Sequence, residues 1–172
     1  VIRNTLRDRL PYFDHIWNVQ DLFVKESLYG SFFRGRMAVH FREPPDVMHW
    51  TYPLALRVPK VKNIYTLHDL VPLRLPYTTL DNKRRYYRMV KHLTRNADHI
   101  VTVSEASKKD IMSLFGVPEE RITNTYQAVH IPAIYRNKAI EDVKSDLRGS
   151  YGLTYKEYYL FFGAIEPKKN VG

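Results

Sequence analysis

The sequence is 172 residues long and contains no cysteine. This absence excludes disulfide bonds, iron–sulfur clusters and zinc sites with thiolate ligands, and it suits a reducing compartment such as the cytosol. Histidine, another common zinc ligand, occurs seven times, and its positions do not show the spacing of a metal-binding pair. We therefore expect no metal site.

Several short catalytic motifs are missing as well. There is no Asp-x-Asp, so the carboxylate pair that usually binds a metal ion together with a diphosphate is absent. The chain also lacks the zinc-protease motif His-Glu-x-x-His, the phosphate-binding motifs Gly-x-Gly-x-x-Gly and Gly-x-x-x-x-Gly-Lys, and the hydrolase motif Gly-x-Ser-x-Gly. Any enzymatic activity must therefore rest on another arrangement of residues.

Long apolar runs are absent too. No run approaches the roughly 18 residues of a membrane-spanning helix, and the first residues lack the apolar segment of a signal peptide. We therefore expect no membrane-spanning helix in this sequence.

The formal net charge is +9, which predicts a polyanionic partner. Nucleic acid, an anionic membrane surface and a phosphate-bearing substrate all fit, and composition does not choose among them.

Short β-prone runs alternate with helical patterns along most of the chain. The predicted strands are 46–50, 63–67, 98–103, 122–126 and 158–162. The predicted helices are 81–97, 104–115 and 141–151, the second with Ser104 as its N-cap and Gly116 just past its end. This alternation predicts an α/β fold with a parallel sheet and right-handed crossovers.

Residues 1–45 give a weaker pattern. They show no strand followed by a glycine-rich turn, but 21–33 predicts an amphipathic helix. The candidates for its buried side are Leu22, Phe23, Leu28, Phe32 and Phe33. We expect one domain over 1–133 and, over 134–172, an interdomain segment followed by the first strand and turn of a second domain.

The predicted helix 81–97 has two chemically different faces. One carries Tyr86, Met89, Val90, Leu93 and Ala97, and the opposite one carries Arg84, Arg88, Lys91 and Arg95. The basic face fits solvated charge on an exterior helix. It fits contact with anionic lipid equally well.

Three features carry polar chemistry at the ends of predicted strands. His68 and Asp69 end one strand, where open α/β sheets build their sites, although both residues could simply cap a loop. Ser104 and Glu105 begin a helix, where an anion or ordinary N-capping would fit. Lys168 and Lys169 follow the last predicted strand, and they fit either a developing diphosphate charge or a solvated loop.

Four motifs in this order resemble the family 4 (group 1) glycosyltransferases of the GT-B fold. They are Asp46-Val47-Met48-His49, Tyr65-Thr66-Leu67-His68-Asp69-Leu70, Ile100-Val101-Thr102-Val103-Ser104-Glu105 with Ser107-Lys108-Lys109-Asp110, and Gly163-Ala164-Ile165-Glu166-Pro167-Lys168-Lys169-Asn170. The resemblance implies two Rossmann-like lobes, each a parallel sheet with helices on both faces. This chain would hold the amino-terminal, acceptor-side lobe and only the beginning of the second.

The family implies an activity and partners. We expect a retaining, metal-independent sugar transfer that needs no cofactor beyond its substrate, a nucleotide-sugar donor, with GDP-mannose preferred. The acceptor would be a glycan or a lipid diphosphate in cell-surface polysaccharide or lipopolysaccharide synthesis, at the inner face of the plasma membrane. Because the family's donor-gripping carboxylates would lie beyond Gly172, we expect this chain to be a fragment that is inactive alone.

The resemblance also implies roles for the strand-end residues. His68 matches the catalytic histidine that approaches the transferring sugar, and Asp69 would orient His68 or an acceptor hydroxyl. Ser104 and Glu105 would line the substrate cleft, and Lys168 and Lys169 would bind the donor diphosphate. Two alternatives without catalysis stay open, a basic nucleic-acid-binding module and a membrane-docking module. The first is disfavoured because the aromatic residues do not interleave with the basic stripe.

Overall fold

The computed structural model describes residues 2–3, 13, 16–32 and 35–171. The chain divides into two compact units, Val1–Tyr126 and Gln127–Gly172. The predicted boundary between functional domains after residue 133 stays a prediction.

The secondary structure follows the predicted alternation. In chain order the elements are β1 (Ile2–Arg3), β2 (Trp17–Asn18), α1 (Leu22–Phe32), β3 (Met37–Ala38), β4 (Val47–Trp50), β5 (Leu56–Arg57), β6 (Lys62–Thr66), α2 (Val71–Arg74), α3 (Lys83–Asn96), β7 (His99–Thr102), α4 (Glu105–Phe115), β8 (Ile122–Asn124), α5 (Ala133–Arg136) and α6 (Ile140–Tyr151). Among the described residues, none of the helices has the length and apolar character needed to cross a membrane.

The main sheet has four strands in the order β4-β6-β7-β8, and all neighbouring pairs are parallel. Trp50, Tyr65, Ile100 and Ile122 lie level with one another across it, and all four are buried. The strands therefore end at a common carboxyl edge. This confirms the predicted α/β, Rossmann-like class, and it is consistent with the amino-terminal lobe of the GT-B fold.

Two smaller sheets accompany the main one. β1 pairs with β2 in antiparallel orientation, and β3 pairs with β5 in parallel orientation. Each of these strands has two residues, too few to produce an alternating pattern in a sequence.

Helix α3 shows the predicted division into an apolar and a basic face. Val90 and Leu93 are buried in the same core cluster as Tyr65 and Ile100. On the opposite face Arg84, Arg88 and Arg95 are exposed. Asn82 caps the helix, because its Oδ1 accepts a hydrogen bond from the Arg85 amide at 3.0 Å.

Helix α4 begins and ends as predicted. The Ser104 side chain caps its amino terminus, and Gly116 ends it with φ at +64°, a left-handed conformation that glycine adopts without a Cβ clash.

The predicted buried side of α1 is wrong. Phe23 and Leu28 are 67% and 56% exposed, whereas the charged Glu26 is 8% exposed. Glu26 faces inward because its Oε1 accepts a hydrogen bond from the Ala55 amide at 2.9 Å, which satisfies the buried carboxylate. Of the other candidates, Leu22 packs against the core. Phe32 and Phe33 lie outside the side chains that the structure describes.

The predicted strand at 158–162 is also wrong, because these residues have no strand conformation. Tyr159 and Phe162 are almost fully exposed. A strand needs a neighbouring strand to satisfy its backbone groups, and the described residues of the second unit form helices and turns only.

Asn63 is the most extensively bonded buried polar side chain of the sheet. Its Oδ1 accepts from Trp50 Nε1 at 3.0 Å and from the Val58 amide at 2.9 Å. Its Nδ2 donates to the carbonyl groups of Val58 at 2.9 Å and of Val61 at 2.7 Å. These bonds join β4, β6 and the segment after β5, so that all the hydrogen-bonding groups of the amide are used.

We predict that Asn63→Leu lowers the free energy of unfolding by about 3 kcal/mol or more, since it leaves buried donors and acceptors without partners. Urea unfolding followed by circular dichroism measures the change. Asn96→Leu is the matched control, because Asn96 is exposed, and we expect a change within about 0.5 kcal/mol. Equal stabilities for the two variants would contradict the assigned network.

A second prediction concerns Asp98, whose Oδ2 accepts from the Asn63 amide at 2.8 Å and whose Oδ1 lies 3.1 Å from Lys62 Nζ. The backbone hydrogen bond, aided by Lys62, lowers the pKa of Asp98 from 3.8. A lowered folded-state pKa stabilises the fold above the unfolded-state value, and this contribution disappears as the pH falls through the folded-state value.

We therefore expect Asp98→Asn to reduce stability by about 1 kcal/mol at pH near 7, a modest value because the side chain is partly exposed. The difference from the wild type should shrink as the pH falls below about 4. Urea unfolding at a series of pH values tests this. A difference that is constant over the series would show that the charge of Asp98 does not stabilise the fold.

Candidate functional site

Four predicted site residues lie at the carboxyl edge of the main sheet. His68 and Asp69 follow β6, and Ser104 and Glu105 follow the adjacent strand β7. Parallel strands build sites at this edge because their loops emerge there side by side.

The chain remains bonded to β7 for one residue after β6 ends. The Leu67 amide donates to the Val101 carbonyl at 2.8 Å, as in the strand ladder. The Leu67 carbonyl instead accepts from a side chain, Thr102 Oγ1, at 2.7 Å. Both residues are buried, so the bond is shielded from water.

The next two carbonyl groups are also held by side-chain hydroxyl groups. The His68 carbonyl accepts from Ser107 Oγ, on α4, at 2.9 Å. The Asp69 carbonyl accepts from Tyr86 Oη, on α3, at 3.2 Å. The two residues are therefore anchored to helices α4 and α3.

Tyr86 is suited to donate this hydrogen bond. Burial raises the pKa of the Tyr86 hydroxyl far above its ordinary value, and the nearby Asp69 carboxylate raises it further. The phenol therefore keeps its proton throughout the physiological pH range.

The His68 side chain is half-buried, and its imidazole makes no hydrogen bond with any described residue. Both ring nitrogen atoms are therefore available to a ligand. A neutral imidazole can donate one hydrogen bond and accept another, so it can bind and orient a sugar hydroxyl or exchange a proton with it.

Asp69 has a structural role in the described contacts. Its Oδ1 accepts from the Val71 amide at 3.0 Å, where α2 begins. This is the loop-capping role that the sequence left open. Within the described part of the chain, no hydrogen bond joins its carboxylate to His68, and its contact with substrate stays a prediction.

Ser104 is likewise engaged in capping. Its Oγ accepts from the Ser107 amide at 3.1 Å, and its hydroxyl group lies 3.0 Å from Ser107 Oγ. A role for Ser104 in substrate binding stays a prediction. Ser107 was predicted only as part of a family motif, without a role of its own, because its partner, the His68 carbonyl, lies far away in the sequence.

Glu105 joins the ends of two strands. Its Oε1 accepts from Asn124 Nδ2, at the end of β8, at 2.7 Å. Asn124 Oδ1 in turn accepts from the amide of Tyr126 at 3.0 Å. The exposed Glu105 and the half-buried Asn124 thereby place polar groups at the sheet edge beside Ser104, and substrate binding by Glu105 stays a prediction. Asn124 was predicted only as part of a strand, and no local pattern indicated its bond to Glu105.

Lys168 and Lys169 belong to the second unit, in the 3-10 turn Pro167–Lys169. Lys168 Nζ lies 3.3 Å from Glu166 Oε2. The Lys169 ammonium group has no hydrogen bond or ion pair with the described residues, so its charge is available to an anion. Diphosphate binding by either lysine stays a prediction.

The described residues contain no group of three or more histidine, aspartate or glutamate side chains arranged to bind a metal ion. The side chains at the edge of the sheet are an imidazole, two carboxylates, a hydroxyl group and an amide. Such groups suit a ligand rich in hydroxyl groups.

Comparison with curated proteins identifies relatives among bacterial sugar transferases. The chain is 31% identical over 109 residues to the O-antigen chain mannosyltransferase B of Escherichia coli, covering 63% of this chain and 28% of that protein. It is 28% identical over 112 residues to the serotype-specific mannosyltransferase WbdA of Escherichia coli, covering 64% of this chain and 14% of that protein. The chain thus spans under a third of these relatives. No solved structure matches it significantly.

The sequence profile of Glycosyltransferase Family 4 matches residues 6–131. This segment contains the whole main sheet, together with His68, Asp69, Ser104 and Glu105. Because the match covers more than half of its residues, the chain belongs to Glycosyltransferase Family 4.

Proposed function

We propose that the protein transfers a sugar from a nucleotide-sugar donor to a glycan or lipid-linked acceptor, and that this chain supplies the acceptor side. The observation that carries the proposal is the half-buried His68, whose imidazole has no hydrogen-bond partner in the described chain while its own carbonyl group and that of Asp69 are held by Ser107 and Tyr86. Fixed backbone and available ring nitrogen atoms together suit a group that orients a reacting hydroxyl.

The proposed donor is GDP-mannose, and the proposed setting is the synthesis of a cell-surface polysaccharide. Support comes from the two relatives, which are named as mannosyltransferases. We further propose retention at the anomeric carbon and no requirement for a metal ion, both from the family resemblance. As a part of a longer enzyme, this chain alone would be inactive.

His68 would hold the transferring sugar or the incoming acceptor hydroxyl, with orientation its main contribution. Lys169, whose ammonium group has no partner among the residues that the structure describes, would neutralise charge on the departing diphosphate, aided by Lys168. Asp69, Ser104 and Glu105 would bind substrate hydroxyl groups. Asp69 and Ser104 each accept a capping hydrogen bond from a backbone amide, and they would bind substrate through their remaining acceptor positions.

We also propose that the enzyme works in the cytoplasm on the inner membrane surface, where a lipid-linked acceptor is reached. Tyr77 and Leu80 are 83% and 106% exposed just before α3, whose exposed face carries Arg84 and Arg88. The exposed apolar side chains suit the acyl boundary of an anionic bilayer, and the neighbouring arginines suit its headgroups.

We predict that His68→Ala and Lys169→Ala, introduced singly in the intact enzyme, each lower kcat by about 100-fold or more. Transfer of radiolabelled mannose from GDP-mannose to lipid-linked saccharide in membranes measures the rates. His40→Ala and Lys109→Ala are matched controls, because both residues are exposed and make no hydrogen bond or ion pair with described residues, and they should leave kcat unchanged. Unchanged rates in both site variants would remove the assignment.

For the membrane contact, we expect Arg84→Glu combined with Arg88→Glu to weaken binding to vesicles of phosphatidylglycerol and phosphatidylethanolamine at least tenfold. Each basic residue near such a surface contributes about 1 kcal/mol. Vesicle flotation provides the measurement, and Lys60→Glu with Lys109→Glu is the charge-matched control. Equal losses in the two double variants would point to net charge and against a specific docking face.

A further inference from the structure

Three consecutive carbonyl groups, those of Leu67, His68 and Asp69, accept hydrogen bonds from hydroxyl side chains. The donors are Thr102 on β7, Ser107 on α4 and Tyr86 on α3. They stand 35, 39 and 17 residues away in the chain, so none of the bonds belongs to a local turn. Loops that leave a strand usually satisfy such carbonyl groups with water.

The hydroxyl of Ser107 has little freedom to rotate. Ser107 is buried and its Oγ lies 2.9 Å from the His68 carbonyl, which can only accept. The Ser107 hydroxyl must therefore donate to that carbonyl, and the Ser104 hydroxyl, 3.0 Å away, donates to Ser107 Oγ. This chain of donors connects the N-cap of α4 to the backbone of His68.

The hydroxyl of Tyr86 acts one residue further on. Its ring lies on the half-buried face of α3 and packs against the core, which leaves the hydroxyl group to reach the Asp69 carbonyl at 3.2 Å. Ser107 and Tyr86 therefore hold successive peptide groups, before and after Asp69, from two different helices.

We infer that Ser107 and Tyr86 are positioning residues that set the direction of the His68 imidazole. The inference rests on the proposed function, in which His68 orients a reacting hydroxyl. Loss of the Ser107 hydroxyl frees the carbonyl group of His68 itself, and loss of the Tyr86 hydroxyl frees the carbonyl group of the next residue, Asp69. Because small errors in the placement of reacting groups slow a reaction strongly, the effect falls on kcat, while KM for GDP-mannose stays nearly constant.

The test removes single hydroxyl groups from the intact enzyme. Tyr86→Phe deletes the donor to Asp69 and keeps the ring, and Tyr87→Phe is the matched control on the adjacent, more exposed tyrosine. Ser107→Ala deletes the donor to His68, and Ser107→Thr retains a hydroxyl group. Thr94→Val removes a buried hydroxyl that bonds the Lys91 carbonyl within α3, and it controls for general loss of stability.

Two measurements are made on each variant. Hydrogen exchange at the amides of Leu67 and Val71, which donate to the Val101 carbonyl and to the Asp69 carboxylate on either side of the segment, reports backbone order and does not depend on any activity. Mannose transfer gives kcat and KM. We expect Tyr86→Phe and Ser107→Ala to speed exchange at these amides and to lower kcat about 10- to 100-fold with KM changed less than about threefold. Tyr87→Phe, Thr94→Val and Ser107→Thr should behave like the wild type.

Exchange that is unchanged in both Tyr86→Phe and Ser107→Ala would overturn the inference, because the hydroxyl groups would not order the segment. Faster exchange with unchanged kcat would overturn it as well, because the order would then have no use in transfer. If Ser107→Ala fails to fold because the His68 carbonyl loses its donor, Tyr86→Phe still decides. Failure of the proposed role of His68 is distinct, since it appears as full activity in His68→Ala.

Discussion

The chain leaves the central strand β6 with carbonyl groups that no longer face a neighbouring strand, and buried hydroxyl groups supply the donors they need. Thr102 extends the β6–β7 contact by one residue, and Ser107 and Tyr86 fix the next two peptide groups. Because these donors come from a strand and two helices, the position of His68 depends on the packing of the whole sheet. The site is thus a consequence of the fold rather than of a local motif.

The parts of the fold that could be predicted depend on residues close together in the sequence. Helices α3 and α4 were predicted from the periodicity between Tyr86 and Ala97, the Ser104 cap and Gly116 at the end of α4. The four strands of the main sheet were visible because they are continuous β-prone runs bounded by polar residues. Local patterns were therefore sufficient to predict the α/β class and to place His68, Asp69, Ser104 and Glu105 at the carboxyl edge of the sheet.

The features that could not be predicted depend on contacts between residues that are far apart in the chain. Glu26 is buried because the amide of Ala55, far along the chain, donates a hydrogen bond to its carboxylate. For this reason, the position of the apolar residues did not predict which face of α1 is buried. Asn63 and Ser107 look like ordinary polar residues until their partners are known. The run 158–162 has the composition of a strand and lacks a partner strand among the described residues of its unit.

Charge is distributed in keeping with the proposed chemistry. Arg84, Arg88 and Arg95 form an exposed stripe on α3, and the exposed Tyr77 and Leu80 precede that helix. This arrangement suits the proposed attachment to a membrane. Lys169 is different because its ammonium group has no partner in the described chain, which suits the diphosphate contact proposed above. The proposed function thus assigns the basic residues to two separate anionic partners.

The most direct measurement is a crystal structure of the intact enzyme with GDP-mannose and an acceptor saccharide bound. We predict that an imidazole nitrogen of His68 lies about 3 Å from a hydroxyl group of the transferred mannose or of the acceptor. We also predict that the hydroxyl groups of Ser107 and Tyr86 keep their hydrogen bonds to the His68 and Asp69 carbonyl groups. A His68 ring that points away from both sugars, with no water between them, would contradict the proposed role of His68.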